Sequence, residues 1–264
     1  MTSSAKLAVA AIAWAALARA AQAEVVTQEI EYRQGDTALQ GFLAYDGAAK
    51  GKRPGVLVVH EWWGHNQHAR NQAIRLARAG YVGFALDMYG KGKVTTHPAD
   101  AEAFVKEATR DPAVVRARFD AARELLAQQP QVDPSRIGAI GYCFGGGVVI
   151  AMARAGEDLK AVATFHGALT PGDGAAEEGK IKAPLLIQTG GADPMVPKEK
   201  VEAFRKEMKE AGAKVRIVVY PGVKHSFTNP DADKVGMDGL SYDAAADRKS
   251  WAALLRFLKG ALRG

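Results

Sequence analysis

The residues best suited to chemistry are centred on Cys143, the only cysteine in the 264-residue chain. It lies in Gly141-Tyr142-Cys143-Phe144-Gly145, which has the Gly-x-nucleophile-x-Gly spacing of a sharp turn between a strand and a helix. Side chains at the two glycine positions would collide in such a turn. The central side chain is exposed at the N-terminal end of a helix, which favours a thiolate. The pattern predicts a cysteine nucleophile, and the alternative is a small buried cysteine.

A thiol nucleophile needs a base that takes its proton and a third group that orients the base. Asp193 and His225 each follow an apolar, strand-like run, at residues 184–189 and 215–220. Because the carboxyl ends of parallel strands meet at one edge of a sheet, we expect both side chains near Cys143. Taken alone, Asp193 fits a turn or a helix cap, and His225 fits a surface loop. Together, the order nucleophile, acid, histidine predicts a catalytic triad.

Attack on a carbonyl also requires two N–H groups that stabilise the oxyanion. One is expected from the backbone of Phe144, the residue after the nucleophile. The other is expected from the loop after the strand that ends at His60, from Glu61 or Trp62, and we predict Trp62. The Glu61 carboxyl group would lie beside the thiol and could hold its proton. Its spacing alone favours a solvated loop glutamate.

Three histidines in one region, His60, His65 and His68, raise the question of a metal site. The stretch from His60 to His65 differs from the zinc motif H-E-x-x-H, because it has an extra residue and a glycine and begins at the end of a strand. We therefore predict no metal and no organic cofactor. No serine lies in a G-x-S-x-G context, so no rival nucleophile competes with Cys143.

The elements that must position these residues alternate between strand-like apolar runs and amphipathic helices. This alternation predicts an α/β fold with a mostly parallel, doubly wound sheet of about seven to eight strands flanked by helices. An antiparallel pair is expected within residues 28–45. The remaining strands are expected at 55–60, 82–86, 136–140, 161–165, 184–189 and 215–220, and the helices at 66–79, 99–128 (two helices broken at 111–112), 146–154, 198–211 and 243–262.

The first 23 residues have the pattern of a secretory signal peptide. Lys6 precedes an apolar stretch at 7–18 that is too short to span a bilayer, and a small-x-small cleavage site precedes Glu24. We expect a secreted, periplasmic protein with one mature domain at 24–264, and an uncleaved N-terminal helix is the alternative. A lone cysteine cannot form an internal disulfide in that oxidising compartment, which strengthens the catalytic interpretation of Cys143.

The charged residues are 35 Lys and Arg against 29 Asp and Glu, a formal net charge of +6. They are scattered and form no basic run interleaved with aromatic residues, which argues against a nucleic-acid-binding surface. After the signal, no apolar run reaches membrane-spanning length. The expected partner is a small-molecule ester or lactone substrate, and the expected oligomeric state is a monomer.

The chain resembles the dienelactone hydrolase family of α/β-hydrolases, in its cysteine-nucleophile branch. The resemblance covers nearly the whole mature chain and rests on VVHEWWG (58–64), LDMYG (86–90), GAIGYCFGG (138–146), GGADP (190–194) and HSF (225–227). It implies the α/β-hydrolase fold and a triad of Cys143, His225 and Asp193. It also implies that Glu61 holds the resting thiol and swings away when substrate binds.

One position departs from the family pattern. Members that cleave dienelactone bind the substrate carboxylate with arginines, one of them four residues after the catalytic histidine, where this chain has Asn229. A neutral amide cannot replace a bidentate guanidinium–carboxylate pair. For the second arginine, Lys106 and Arg110 are neighbours only by region.

The sequence therefore predicts hydrolysis of carboxylic esters or lactones through an acyl-enzyme and leaves the substrate open. Two alternatives stay open beside it. One is a thioesterase or another acyl hydrolase that uses the same triad. The other is a non-catalytic binding protein with an α/β-hydrolase fold.

Overall fold

An eight-stranded sheet forms the centre of the protein, in a computed structural model that describes residues 24–170 and 175–263. The signal peptide predicted at 1–23 lies outside the described residues. The strands are β1 (Val25–Gln34), β2 (Thr37–Asp46), β3 (Arg53–Val59), β4 (Val82–Leu86), β5 (Val132–Tyr142), β6 (Val162–Phe165), β7 (Leu185–Gly190) and β8 (Val215–Tyr220).

The strand order is β1-β2-β4-β3-β5-β6-β7-β8. β1 pairs antiparallel with β2, and β2 pairs antiparallel with β4. All pairings from β4 through β3 to β8 are parallel. The predicted mostly parallel sheet and its opening antiparallel pair are confirmed.

Six described α-helices cover the sheet: α1 (Gln67–Arg78), α2 (Pro98–Ala108), α3 (Pro112–Ala127), α4 (Phe144–Arg154), α5 (Lys198–Glu210) and α6 (Ala244–Ala261). A short 3₁₀ helix spans Ala232–Val235. The Asn66 side chain caps α1, and Asp111 caps α3, with Pro112 at its first position. The predicted break at 111–112 is therefore confirmed. None of the described helices is long and apolar enough to cross a bilayer.

The core is divided by the sheet into two layers. On one face, residues of α3, α4 and α5 such as Phe119, Val149 and Phe204 pack against the strands. On the other face, residues of α1 and α6 such as Leu76 and Leu254 do so. Strands covered on both faces are mainly apolar, and β4, β6 and β7 are buried throughout. Helices therefore cover both faces of the sheet.

Chemistry-bearing side chains follow four parallel strands at their carboxyl ends. Glu61 lies just after β3, Cys143 directly after β5, Asp193 after β7 and His225 after β8. Strand pairing brings the ends of β3 and β5 together through the partners Val59 and Gly141, and the ends of β7 and β8 through Gly190 and Tyr220. The sheet therefore brings residues far apart in sequence to one edge, as predicted.

Candidate active site

Cys143 occupies a strained turn between β5 and α4. Its φ of 51° and ψ of −115° lie where residues other than glycine are rare. Two backbone hydrogen bonds hold the turn: the Cys143 N–H donates to the Phe165 carbonyl and the Gly145 N–H to the His60 carbonyl, both at 3.1 Å. Such strain persists only where surrounding structure enforces it, and it is typical of functional sites.

The two glycines of the turn are required by close backbone approaches. A Cβ at Gly141 would lie 2.0 Å from the Gly145 carbonyl oxygen. A Cβ at Gly145 would lie 2.4 Å from the Val59 carbonyl oxygen. Both distances are far inside van der Waals contact, so the collision expected from the Gly-x-Cys-x-Gly spacing is confirmed.

His225 and Asp193 form a buried hydrogen-bonded pair, each only 3% exposed. The Nδ1 atom of His225 lies 2.7 Å from Oδ2 of Asp193. The other oxygen, Oδ1, accepts hydrogen bonds from the N–H groups of Met195 and Val196. The two interpretations of Asp193 are therefore compatible, because one oxygen organises the turn before α5 and the other binds the histidine. His225 is buried, and the surface-loop alternative is wrong.

The charge on His225 depends on Cys143. Burial alone would lower the pKa of His225, but the negative charge of the Cys143 sulfur and the hydrogen bond to Asp193 outweigh it and raise the pKa to about 10. The buried Nε2 atom has no well-aligned hydrogen-bond partner within the described residues. We therefore regard its attraction to the sulfur as mainly electrostatic. The raised pKa keeps the His225 ring protonated near neutral pH.

Glu61 is buried, with 1% exposure, so the solvated-loop alternative is wrong. Its Oε1 accepts a hydrogen bond from Ser226 Oγ at 2.8 Å, and its Oε2 accepts one from Asn229 Nδ2 at 2.6 Å. In the part of the chain described, neither oxygen is hydrogen-bonded to Cys143. The carboxylate instead ties the loop after β3 to the loop that carries His225.

Asn229, where the family pattern has an arginine, is therefore part of this site. It is 5% exposed, and its amide donates a hydrogen bond to Glu61. Ser226, the other donor, has a positive φ of 54°, and its hydroxyl group donates to Glu61. Ser226 was not among the predicted site residues, although its place directly after His225 was a usable signal.

His60 fixes the peptide group that contains the Trp62 N–H. Its Nε2 accepts a hydrogen bond from the Met88 N–H at 3.2 Å, so its proton must be on Nδ1, which donates to the Glu61 carbonyl at 2.6 Å. Burial lowers the pKa of His60, which keeps the ring neutral. In a trans peptide the Glu61 carbonyl and the Trp62 N–H point in opposite directions, so holding the first orients the second.

The Trp62 and Phe144 N–H groups make no backbone hydrogen bond to any described residue. Phe144 is the first residue of α4, where N–H groups have no partner inside the helix. The Trp62 carbonyl accepts a hydrogen bond from the Tyr89 hydroxyl group at 3.2 Å. Both predicted oxyanion donors are thus available to a bound group.

The histidines singled out as possible metal ligands do not form a metal site within 24–170 and 175–263. No group of three or more His, Cys, Asp or Glu side chains there could hold a metal ion. Both ring nitrogens of His60 are already used in hydrogen bonds. Burial lowers the pKa of His65 to about 4 and also lowers that of His68.

His166 is a further site residue that was not predicted from the sequence. Its ring packs edge-on against His225, with ring centroids 4.9 Å apart, and its Nε2 lies 2.9 Å from Thr228 Oγ1. Burial lowers its pKa well below the ordinary value, so it stays neutral beside the His225 imidazolium. A polar residue directly after the apolar strand β6 was the available signal.

A cavity of about 570 Å³ opens onto Cys143 and His225, within the range of small-molecule sites. Its lining is mainly apolar: Trp62, Val105, Thr109, Pro112, Val115, Cys143, Phe144, Gly147, Val148, Ala151, Arg154, Ala168, Thr170, Met195, Val196, His225 and Leu240. The candidate nucleophile and base therefore face a space large enough for an organic substrate.

Known proteins resemble this chain in both sequence and fold. Residues 39–262 match the model of the dienelactone hydrolase family. A dienelactone hydrolase-like promiscuous phosphotriesterase from metagenomic libraries is 35% identical, with a TM-score of 0.86 over 90% of this chain and 99% of that one. A protein of Escherichia coli (strain K12), assigned as a carboxymethylenebutenolidase, is 30% identical over 236 residues, which cover 86% of this chain and 83% of that protein.

A more distant structure supports the fold. An α/β-hydrolase enzyme from a Medee basin deep-sea metagenome library is 15% identical, with a TM-score of 0.67 over 89% of this chain and 98% of that one. At that identity the likeness concerns architecture alone. The chain has the α/β-hydrolase fold, is a hydrolase, and belongs to the dienelactone hydrolase family.

Proposed function

We propose that the protein hydrolyses carboxylic esters or lactones through an acyl-enzyme on Cys143, with His225 as the base and Asp193 as its orienting partner. The observation that carries this proposal is the buried hydrogen bond between His225 and Asp193 beside Cys143. The charge of the Cys143 sulfur raises the pKa of His225. Family membership and the carboxymethylenebutenolidase assignment of the E. coli relative support a substrate of this class.

In the first half-reaction, the Cys143 thiolate attacks the substrate carbonyl carbon and forms a C–S bond. The N–H groups of Trp62 and Phe144 stabilise the negative charge that develops on oxygen. As the C–O bond to the leaving group breaks, His225 donates its Nε2 proton to the departing alkoxide. The products are a thioester on Cys143, a neutral alcohol and a neutral His225.

In the second half-reaction, neutral His225 takes a proton from water while the water oxygen attacks the thioester carbonyl. The C–S bond breaks and releases the acid, and the sulfur leaves as a thiolate beside the newly protonated imidazole. Asp193 accepts the Nδ1 hydrogen throughout and stabilises the charged ring. The resting ion pair is thereby regenerated.

The role of Glu61 as a partner of the resting thiol stays a prediction. Its carboxylate would have to break its hydrogen bonds to Ser226 and Asn229 to reach Cys143. We propose that in the arrangement described Glu61 is a positioning residue, which fixes the loop after His225 and with it the imidazole.

A second candidate activity is cleavage of neutral phosphotriesters. The metagenomic relative with a TM-score of 0.86 is named a promiscuous phosphotriesterase. The specific observation in its favour is that the cavity is mainly apolar, as an uncharged triester requires. The same thiolate and N–H groups would serve attack on phosphorus.

Intact-mass measurement with p-nitrophenyl acetate tests the main proposal. We expect a transient mass increase of one acetyl group on the protein, and its absence, together with all turnover, in Cys143→Ala. His225→Ala should lose at least about a thousandfold in kcat, whereas His97→Ala, at an exposed histidine outside the cavity lining, serves as the matched control.

Three results would contradict the proposal in different ways. Full activity in Cys143→Ala would exclude the cysteine nucleophile. Preference for thioesters over oxygen esters and lactones would favour the thioesterase alternative. No acylation and no turnover across all these substrates would favour a binding protein.

Export and oligomeric state are proposed from the sequence pattern alone. We propose cleavage after Ala23, release to the periplasm and a monomeric mature protein. Mass spectrometry of the exported protein should give Glu24 as the N-terminal residue, and light scattering should give the monomer mass.

A further inference from the structure

One face of α4 forms the floor of the cavity from the nucleophile to the far end of the helix. Phe144, Gly147, Val148, Ala151 and Arg154 all line the cavity, and they recur at the three- and four-residue spacing of a single helical face. At a rise of 1.5 Å per residue, this row is about 15 Å long. The cavity is therefore a trough that extends well beyond the reacting carbon.

The walls of this trough are apolar on both sides. Val105, Pro112 and Val115 line it from α2 and α3, and Met195 and Val196 line it from the turn before α5. The Met195 side is open to solvent, with 37% of that residue exposed. An acetyl group would leave most of the 570 Å³ unfilled.

The trough offers no free cation from the described lining residues. Apart from Cys143 and His225, Arg154 is the one ionisable group among them. Its Nε and Nη2 atoms bind the two carboxylate oxygens of Glu207 at 2.8 and 2.7 Å. Both side chains are largely buried, with 10% and 13% exposure. The guanidinium group is thus neutralised by the protein.

We propose that the natural substrate is an ester with a long, uncharged hydrocarbon chain that lies along α4, with its reacting carbonyl at Cys143. This inference rests on the proposed function and specifies its substrate class. A carboxylate in the trough would lose its hydration without gaining a counter-ion. A hydrocarbon chain gains about fourfold in affinity for each methylene group that is fully buried.

Chain length and charge can be varied separately in p-nitrophenyl esters. We expect kcat/KM for the octanoate ester to exceed that for the acetate ester at least tenfold. The ester of succinate, which carries a carboxylate, should react more slowly than the neutral pentanoate ester of similar length. Octyl acetate, compared with ethyl acetate, tests whether the chain lies on the alcohol side instead, because both esters release an alkoxide. The proposal would be overturned if neither eight-carbon ester exceeded its two-carbon counterpart in kcat/KM, or if the succinate ester reacted faster than the pentanoate ester.

A substitution in the trough gives an independent test. Ala151 lies midway along the row, so Ala151→Leu should lower the ratio of octanoate to acetate kcat/KM at least tenfold by blocking the chain. Ala245→Leu places the same side chain on an exposed position of α6 outside the lining and should leave the ratio unchanged. An unchanged ratio in Ala151→Leu would count against the trough as the chain site.

Alkylation separates this proposal from the proposed function, because Cys143 is the only thiol. N-octyl iodoacetamide should modify the protein at least tenfold faster than iodoacetamide, and Ala151→Leu should remove that difference. If the octyl preference is found without ester turnover, the trough stands and the esterase proposal fails. If esters turn over and neither reagents nor esters show a chain preference, the esterase proposal stands and the trough fails.

Discussion

Asp193 and Glu61 are two buried carboxylates near His225, and they differ in what they face. Asp193 faces a titratable ring through a 2.7 Å contact to Nδ1, and it lies among the groups that raise the pKa of that ring. Glu61 faces two neutral donors, Ser226 and Asn229. Burial therefore does not assign a role to a carboxylate, whereas its hydrogen-bond partners do.

The difference extends to the backbone around each group. Asp193 receives two N–H groups from its own turn, so its position is fixed locally. Glu61 receives both hydrogen bonds from side chains more than 160 residues away in sequence, on the loop after β8. We therefore interpret Asp193 as tuning the base and Glu61 as joining two loops.

The largest effect on kcat is expected at Asp193. Asp193→Asn removes the charge and allows the wrong histidine tautomer, so kcat on an activated aryl ester should fall by roughly three to four orders of magnitude. The exposed Asp36→Asn is the matched control. A loss below tenfold in kcat would mean that Asp193 has no orienting role.

Titration of the His225 ring by NMR should separate the two carboxylates next. The pKa near 10 should fall by more than one unit in Cys143→Ala and in Asp193→Asn, because each removes a group that raises it. Glu61→Gln should leave it within half a unit, because Glu61 is not among the groups that shift this pKa. Equal shifts in all three variants would erase the distinction between the carboxylates.

The same pKa determines how stability depends on pH. A histidine whose pKa rises from 6.5 to about 10 on folding binds its proton more tightly in the native state. Its contribution to the free energy of unfolding is therefore complete below pH 6.5 and is lost as pH rises through 10. Urea unfolding from pH 6 to pH 10 should show this decline, and His225→Gln should flatten it.

A smaller effect is expected when the Glu61 charge is removed. Glu61→Gln replaces one acceptor with an N–H donor that must face Ser226 or Asn229, so the free energy of unfolding should fall by about 1–3 kcal/mol. Urea unfolding measures this, with the exposed Glu102→Gln as the control. No change relative to that control would show that Glu61 does not join the loops.

The smallest effect is expected at Ser226. Ser226→Ala removes one of the two donors to Glu61 and should lower the free energy of unfolding by about 1 kcal/mol. The double variant with Glu61→Gln should lose less than the sum of the two single losses, because both break the same contact. Strictly additive losses would place Ser226 and Glu61 in separate interactions.

The sequence predicted the parts of the molecule that depend on local backbone rules. The strands appear because buried parallel strands need continuous apolar runs. The turn at Cys143 was predictable because only glycine, which has no Cβ, fits the close backbone contacts at Gly141 and Gly145. Some boundaries differed: α4 begins at Phe144, two residues before the predicted start, since a helix after a tight turn begins at once.

Side-chain partners across the fold were not predictable in the same way. The pairing of Glu61 with Ser226 and Asn229 joins side chains more than 160 residues apart in sequence, on the loops after β3 and β8. The pairing of Arg154 with Glu207 depends on the relative placement of two helices. Neither leaves a short-range pattern in the chain, so each emerges only from the three-dimensional structure.

α4 supports the nucleophile at one end and forms the binding surface along its length. Moving this helix to widen the trough would also displace Cys143, whose turn is held by the hydrogen bond from the Gly145 N–H to the His60 carbonyl, directly after β3. A new substrate range is therefore reached with the least disturbance of Cys143 by exchanging side chains such as Val148 and Ala151 while the helix stays in place. Descendants of this protein should diversify first at those positions.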